Sequence, residues 1–291
     1  MYKVFAVNNF SLLIKAEQLQ AEIDDPGLRI LDCRFVLSEP KAGREAYLNG
    51  HIPGAVYADL DKDLSAPVKA GTGRHPLPDP TDFILTLGRL GISTETRVVV
   101  YDEGSGGVAG RAWWLLRWMG HEQVRLLEGG LSRWQELGLP VQSGDVSVAT
   151  KQFSGSARSE LVVETDEILG PVSGVGSLTL VDARDEARYA GEFEPIDNIA
   201  GHIPGAVNLP FQQSLNTDGT WKTAAELREM WDRVLGGAPI EPVNVMCGSG
   251  VTACHLIISA RLAGLPEPRL YVGSWSEWIV DSSRPVATGT A

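Results

Sequence analysis

The residues best suited to covalent chemistry stand together at Cys247-Gly248-Ser249-Gly250-Val251-Thr252. An apolar run, 243–246, precedes them and a helical pattern follows. Two glycines let the backbone curl so that several N–H groups face one point. The N-terminus of the following helix adds partial positive charge there. A thiol in such a nest is shifted toward thiolate, the form that attacks an electrophile. A lone cysteine is more often buried and inert; the glycine loop at a strand end is what singles out Cys247. Cys33 and Cys254 lack that setting and are expected in the core. Three cysteines without a Cys-x-x-Cys pair disfavour a disulfide framework, a dithiol redox motif and a zinc site. Neither a metal nor an organic cofactor is expected.

A loop of this kind needs a strand before it and a helix after it, and open α/β sheets place their sites at such strand ends. The chain carries the arrangement twice. Gly50-His51-Ile52-Pro53-Gly54-Ala55-Val56 returns unchanged at Gly201-His202-Ile203-Pro204-Gly205-Ala206-Val207. Asp32-Cys33-Arg34 precedes the first copy and Asp182-Ala183-Arg184 the second, 150 residues later. Gly129-Gly130-Leu131 before Trp134 matches Gly273-Ser274-Trp275 before Trp278. A period this long is a duplicated domain, not a solenoid repeat. The expected division is 1–145, a linker at 146–160 that holds Ser147, Thr150, Ser154, Gly155 and Ser156, and 161–291. Short apolar runs at 28–31, 98–101, 125–127, 178–181, 243–246 and 269–272 suit strands buried on both faces. Helices are expected from Thr81-Asp82, from Thr223, and over 109–119 and 252–263.

The length of 291 residues fits two domains. With 25 Lys and Arg against 37 Asp and Glu, the formal charge is −12. That balance argues against nucleic acid and anionic membranes as partners, because binding phosphate needs a positive field. Met1 to Ser11 lacks a charged segment followed by a long apolar run, and no run approaches a membrane span. The cytoplasm is the expected location.

On these residues the chain resembles the rhodanese superfamily of sulfurtransferases in its tandem two-domain form. The features that carry the likeness are both Gly-His-Ile-Pro-Gly-Ala-Val segments, the Asp-x-Arg before each, the Cys247–Thr252 loop, and Gly273-Ser274-Trp275 with Trp278. The likeness covers almost the whole chain and implies an α/β fold of two rhodanese-like domains, each a small parallel sheet flanked by helices. The loop looks like that of the family's mercaptopyruvate branch; the thiosulfate branch has Arg and Lys where Gly248 and Ser249 stand. In the first half the matching loop begins Asp102-Glu103-Gly104-Ser105, without the cysteine.

The resemblance implies that Cys247 carries sulfur as a persulfide from 3-mercaptopyruvate, a small anionic donor, to a thiol such as thioredoxin or to cyanide. Gly248, Gly250, Val251 and Thr252 would surround that sulfur. Arg188 matches the family's carboxylate-binding arginine; otherwise it pairs at the surface with Glu186 or Glu192. Ser249, His75 and Asp61 match a Ser-His-Asp arrangement that moves the donor's thiol proton; otherwise His75 is a solvated loop residue. His51 and His202 open the repeated turns and read as structural. The branch also uses a second arginine after Glu-Pro, where this chain has Ile196, and Arg74 is expected to supply that charge. Three rivals remain: a thiosulfate:cyanide sulfurtransferase, a non-catalytic binding module, and a phosphatase, which would need an arginine where Ala253 stands.

Overall fold

Runs of Val, Ile and Leu with no polar alternation form strands covered on both faces. In the computed structural model, which describes residues 11–175, 177–236 and 242–290, they build two parallel sheets. Met1 to Phe10, where a leader was sought, lie outside those residues. The first half contains β1 (Leu13–Ile14), α1 (Ala16–Glu22), β2 (Leu28–Asp32), α2 (Ala42–Asn49), β3 (Val56–Tyr57), α3 (Pro80–Arg89), β4 (Arg97–Tyr101), α4 (Ala109–Trp118), β5 (Val124–Leu127) and α5 (Gly130–Glu136). The second contains α6 (Thr165–Val172), β6 (Thr179–Asp182), α7 (Glu186–Ala190), β7 (Val207–Asn208), α8 (Ala224–Leu235), β8 (Val243–Met246), α9 (Ala253–Leu262), β9 (Arg269–Leu270) and α10 (Ser274–Trp278).

The sheet orders are β1-β5-β4-β2-β3 and, read from the matching edge, β9-β8-β6-β7. The duplication seen in the sequence is therefore a duplication of topology. Where β1 pairs with β5, the second half has a single parallel bridge between Val162 and Leu270.

The repeated motifs fasten each half in the same way. Asp32 and Asp182 are fully buried, and each accepts Nε and Nη2 of the arginine two residues on. Arg34 Nη2 reaches the Gly50 carbonyl at 2.7 Å, and Arg184 Nη2 reaches that of Gly201 at 2.7 Å. The strand end is thus pinned to the Gly-His-Ile-Pro-Gly turn. Tyr47 stacks on His51 and Tyr189 on His202, which gives both histidines their structural place.

Two expected boundaries differ. The helix expected from Thr81 starts earlier, at Pro80. Asp79 caps it, accepting N–H from Thr81 at 2.8 Å and Asp82 at 3.3 Å, and Pro80 occupies a position whose N–H would be unpaired anyway. The strand expected to reach 272 ends at Leu270, because the chain turns sharply into Ser274. Thr223 does open α8, in a reciprocal cap with Glu226.

Every residue of α4 is buried, as is α9 up to Ala260. A helix covered all round lies in a core, and these two pack on each other. One apolar cluster therefore runs through both halves, joining Val100, Trp113 and Leu116 to Val245, Leu256 and Ile257. This shared core joins the two sheets. No helix among the described residues is long and apolar enough to cross a membrane.

Candidate active site

Cys247 follows β8 directly and is 2% exposed. Its N–H donates to Ser274 Oγ at 3.1 Å, and its carbonyl accepts from Trp275 N–H at 3.0 Å. The Gly248 carbonyl accepts from Ser276 N–H at 2.9 Å. The end of β8 and the first turn of α10 thus hold the loop. Ser274 has φ 53, and is the one non-glycine residue at positive φ among those described. A non-glycine side chain there costs of order 1 kcal/mol, and its hydroxyl is what engages Cys247. Gly250 also has positive φ, 73, and a Cβ there would lie 2.4 Å from the Val272 carbonyl oxygen. Only glycine fits. Val251 is buried, and Thr252 stands at the N-cap of α9.

The first half reaches across with the segment between β3 and α3. Gly73 packs so closely that a Cβ would come 2.6 Å from the Gly273 carbonyl. Arg74 N–H donates to Ser276 Oγ at 3.1 Å. His75 is 5% exposed, and its Nδ1 lies 2.7 Å from Ser249 Oγ. Its Nε2 lies 3.4 Å from Asp61 Oδ1. The structure therefore brings Ser249, His75 and Asp61 into one line. Burial pushes the His75 imidazole down to about 3, aided by Arg111 and Arg74, so it is neutral at neutral pH. With its proton on Nε2 facing Asp61, Nδ1 is free to accept the Ser249 hydroxyl proton. Burial raises the Asp61 carboxyl, and Asp59 adds to the rise.

Arg188 is set by α7, and a loop separates it from the Gly-His-Ile-Pro-Gly segment that begins at Gly201. It does not pair with Glu186 or Glu192. Its Nε lies 3.0 Å from Glu194 Oε2, and its Nη2 lies 3.1 Å from Asp197 Oδ2. Asp197 also takes Arg74, so one carboxylate joins the two guanidinium groups. Glu194 accepts the N–H groups of Ile196 and Asp197 as well. Ile196 is 43% exposed, whereas the Asp197 side chain is nearly covered. Arg74 and Arg188 meet over Gly248. A Cβ at that position would be 2.8 Å from Arg74 Nη2 and 3.5 Å from Arg188 Nη2.

Such a site can bind a small anion beside a thiol and move a proton through a hydroxyl and an imidazole. Among the described residues no cluster of three or more His, Cys, Asp or Glu side chains is placed to hold a metal ion. The sequence motifs give no role at the site to Ser274, Glu194, Asp197 or Arg111. Ser274 had a signal, since it stands where the first half has Gly130. The others act through partners distant in sequence or turned by a loop. Cys33 and Cys254 are fully buried, as expected of core thiols. Burial pushes the Cys254 thiol up to about 12.

A family profile described as Rhodanese-like domain matches residues 15–137 and 165–281. A probable 3-mercaptopyruvate sulfurtransferase of Pseudomonas aeruginosa is 47% identical over 279 residues, 95% of this chain and 98% of the relative. A putative thiosulfate sulfurtransferase of Mycobacterium tuberculosis is 40% identical over 285 residues, covering 96% and 98%. The crystal structure of a 3-mercaptopyruvate sulfurtransferase from Escherichia coli superposes with a TM-score of 0.80 at 35% identity, covering 91% of this chain and 99% of that one.

Proposed function

This chain belongs to the rhodanese family and is a sulfurtransferase; we propose that it takes sulfur from 3-mercaptopyruvate onto Cys247 and passes it to a thiol or to cyanide. The observation that carries the donor assignment is the meeting of Arg74 and Arg188 over Gly248, beside the Cys247 loop. Two guanidinium groups suit a carboxylate next to a carbonyl. Ile196 leaves the usual place of a second arginine empty, and Arg74 brings the charge from the first half instead. The Arg–Lys pair of the thiosulfate branch is replaced by Gly248 and Ser249, and a side chain at 248 would run into Arg74.

In this reading residues 1–145 wall the site, 146–160 connect, and 161–291 hold the nucleophile. The Cys247 thiolate attacks the donor sulfur. The S–S bond forms as the C–S bond breaks, and the electron pair leaves on the carbon that becomes the methyl group of pyruvate. The proton of the donor thiol passes by way of Ser249 and His75 to that carbon. Asp61 holds His75 in the tautomer that accepts from Ser249. The persulfide anion then rests among the loop N–H groups. An acceptor thiolate, as of a thioredoxin, or cyanide attacks the outer sulfur, the S–S bond breaks, and the Cys247 thiolate returns. A nucleophile that must stay a free thiol suits the reducing cytoplasm.

The test compares kcat/KM for 3-mercaptopyruvate and thiosulfate with a dithiol and with cyanide as acceptors. The reading expects mercaptopyruvate to be preferred. A preference for thiosulfate would move the assignment to thiosulfate:cyanide transfer; thiosulfate is the donor in the putative name of the mycobacterial relative.

A further inference from the structure

Arg111 lies on α4 of the first half and is fully buried. Its Nη1 lies 3.3 Å from the Gly250 carbonyl and its Nη2 lies 3.3 Å from the His75 carbonyl. Its Nε has no hydrogen-bond partner. It takes part in no ion pair with a carboxylate among the described residues; its electrostatic neighbours are the sulfurs of Cys254 and Cys247. Every other buried arginine of the site is neutralised: Arg184 by Asp182, and Arg188 by Glu194 and Asp197. A charge taken out of water without a counter-charge costs several kcal/mol by itself. A protein that keeps such a cation under a nucleophile's loop gains from it whenever an anion forms there.

We propose that Arg111 is a positioning residue for sulfur transfer: it ties the Cys247 loop to His75 through Gly250, and it sets its unneutralised charge against the anionic sulfur that Cys247 carries during turnover. The tie has a plain geometric consequence. The Ser249–His75 hydrogen bond spans the two halves, and Arg111 holds the backbone on both sides of it. Arg111 also gives the first half a role deeper than walling the cleft, since α4 plants the charge. The other charged and titratable groups facing Cys247 are Arg184 after β6, Cys254 on α9, His75 beside Ser249, and Arg74 and Arg188 over Gly248. The proposal rests on Cys247 being the sulfur carrier but not on the identity of the donor.

The test uses the full chain as wild type, Arg111→Gln, Arg111→Met and Arg111→Lys. Alkylation of Cys247 by iodoacetamide is followed by peptide mass spectrometry near pH 7 and near pH 10. No sulfur donor is present, so a wrong donor assignment leaves the result untouched. Gln keeps the hydrogen-bond donors and loses the charge; Lys keeps the charge. The expected result is alkylation slowed about tenfold or more near neutral pH in the Gln and Met variants, within about threefold of wild type in the Lys variant, and a gap that narrows near pH 10. If the Met variant does not fold, Gln and Lys decide. Wild-type alkylation of Arg111→Gln overturns the proposal. So does an equal loss in all variants at both pH values, which is the mark of a collapsed loop.

Discussion

Asp102 and Cys247 stand at the same point of two copies of one fold. Leu131 N–H donates to the Asp102 carbonyl at 3.0 Å, as Trp275 does to that of Cys247; Ser132 reaches Glu103 as Ser276 reaches Gly248. In the first half the Asp102 carboxylate fills its own loop. It accepts N–H bonds from Gly104, Gly106, Val108 and Ala109, at 2.9–3.1 Å. That loop therefore demonstrates what the turn is for: its backbone donors converge on a negative charge. One copy has locked the charge in place as a side chain. In the proposed mechanism the other offers the same kind of turn to a sulfur that comes and goes.

The neighbouring positions diverge in step. Ala46, before Tyr47, stands where Arg188 stands before Tyr189, and Gly130 stands where Ser274 does. The first-half loop lines a pocket of about 460 Å3 with Arg34, Ala46, Asp102, Glu103 and Ser105; among the described residues no thiol lines it, and Arg34 is paired with Asp32. What the first half gave up in its own pocket it supplies to the other: Asp61, Arg74, His75 and Arg111 all reach toward Cys247 or its loop.

Substitutions can break this comparison, and the largest effect is expected at the nucleophile. Cys247→Ser should lower turnover with any donor by a factor of about a thousand or more, because no covalent sulfur carrier remains; steady-state assays check it. Next is Arg188→Ala, which makes the second half resemble Ala46 of the first. It should raise KM for mercaptopyruvate about a hundredfold, the worth of one charge-assisted pair, and change kcat far less. A smaller effect falls on stability. Asp102→Asn replaces an acceptor of four N–H groups with an amide that turns donors toward donors, and should cost about 2 kcal/mol, read by urea unfolding. Activity of the folded fraction should be near wild type.

The smallest effect sharpens the comparison through pH. Each half buries one imidazole driven down to about 3 by burial: His75 in the first and His255 in the second. Their ordinary value is 6.5. Below it the unfolded chain gains protons that the folded protein refuses, so stability falls as pH drops from 6.5 toward 3. His75→Asn should remove one imidazole's share, about 1 kcal/mol between pH 6.5 and about pH 5.5. Unfolding curves of both proteins at several pH values measure it.

Much of the fold was legible because the motifs recur and because buried parallel strands write themselves as apolar runs. The Cys247 loop, Arg188 and the Ser249–His75–Asp61 line stood in motifs, and the structure sets them around one cleft. Other features were not legible. The helix starts at Pro80 and not at Thr81 because Asp79 caps it and Pro80 fits the first helical position. Arg188 chose Glu194 and Asp197 over nearer acids because the loop after α7 folds back on Glu194's own hydrogen bonds. Arg111 sits among Ala and Trp residues on a fully covered helix, and nothing in that stretch says that its partners lie 36 and 139 residues away.

The central claim is that the second loop holds a sulfur anion where the first holds a carboxylate. Mass spectrometry of the protein after treatment with mercaptopyruvate and removal of excess donor tests it most directly. The account predicts a gain of about 32 Da, one sulfur atom, on the peptide containing Cys247. That gain should disappear when a thiol or cyanide is added. A protein of unchanged mass, or added sulfur on Cys33 or Cys254 instead, would contradict it.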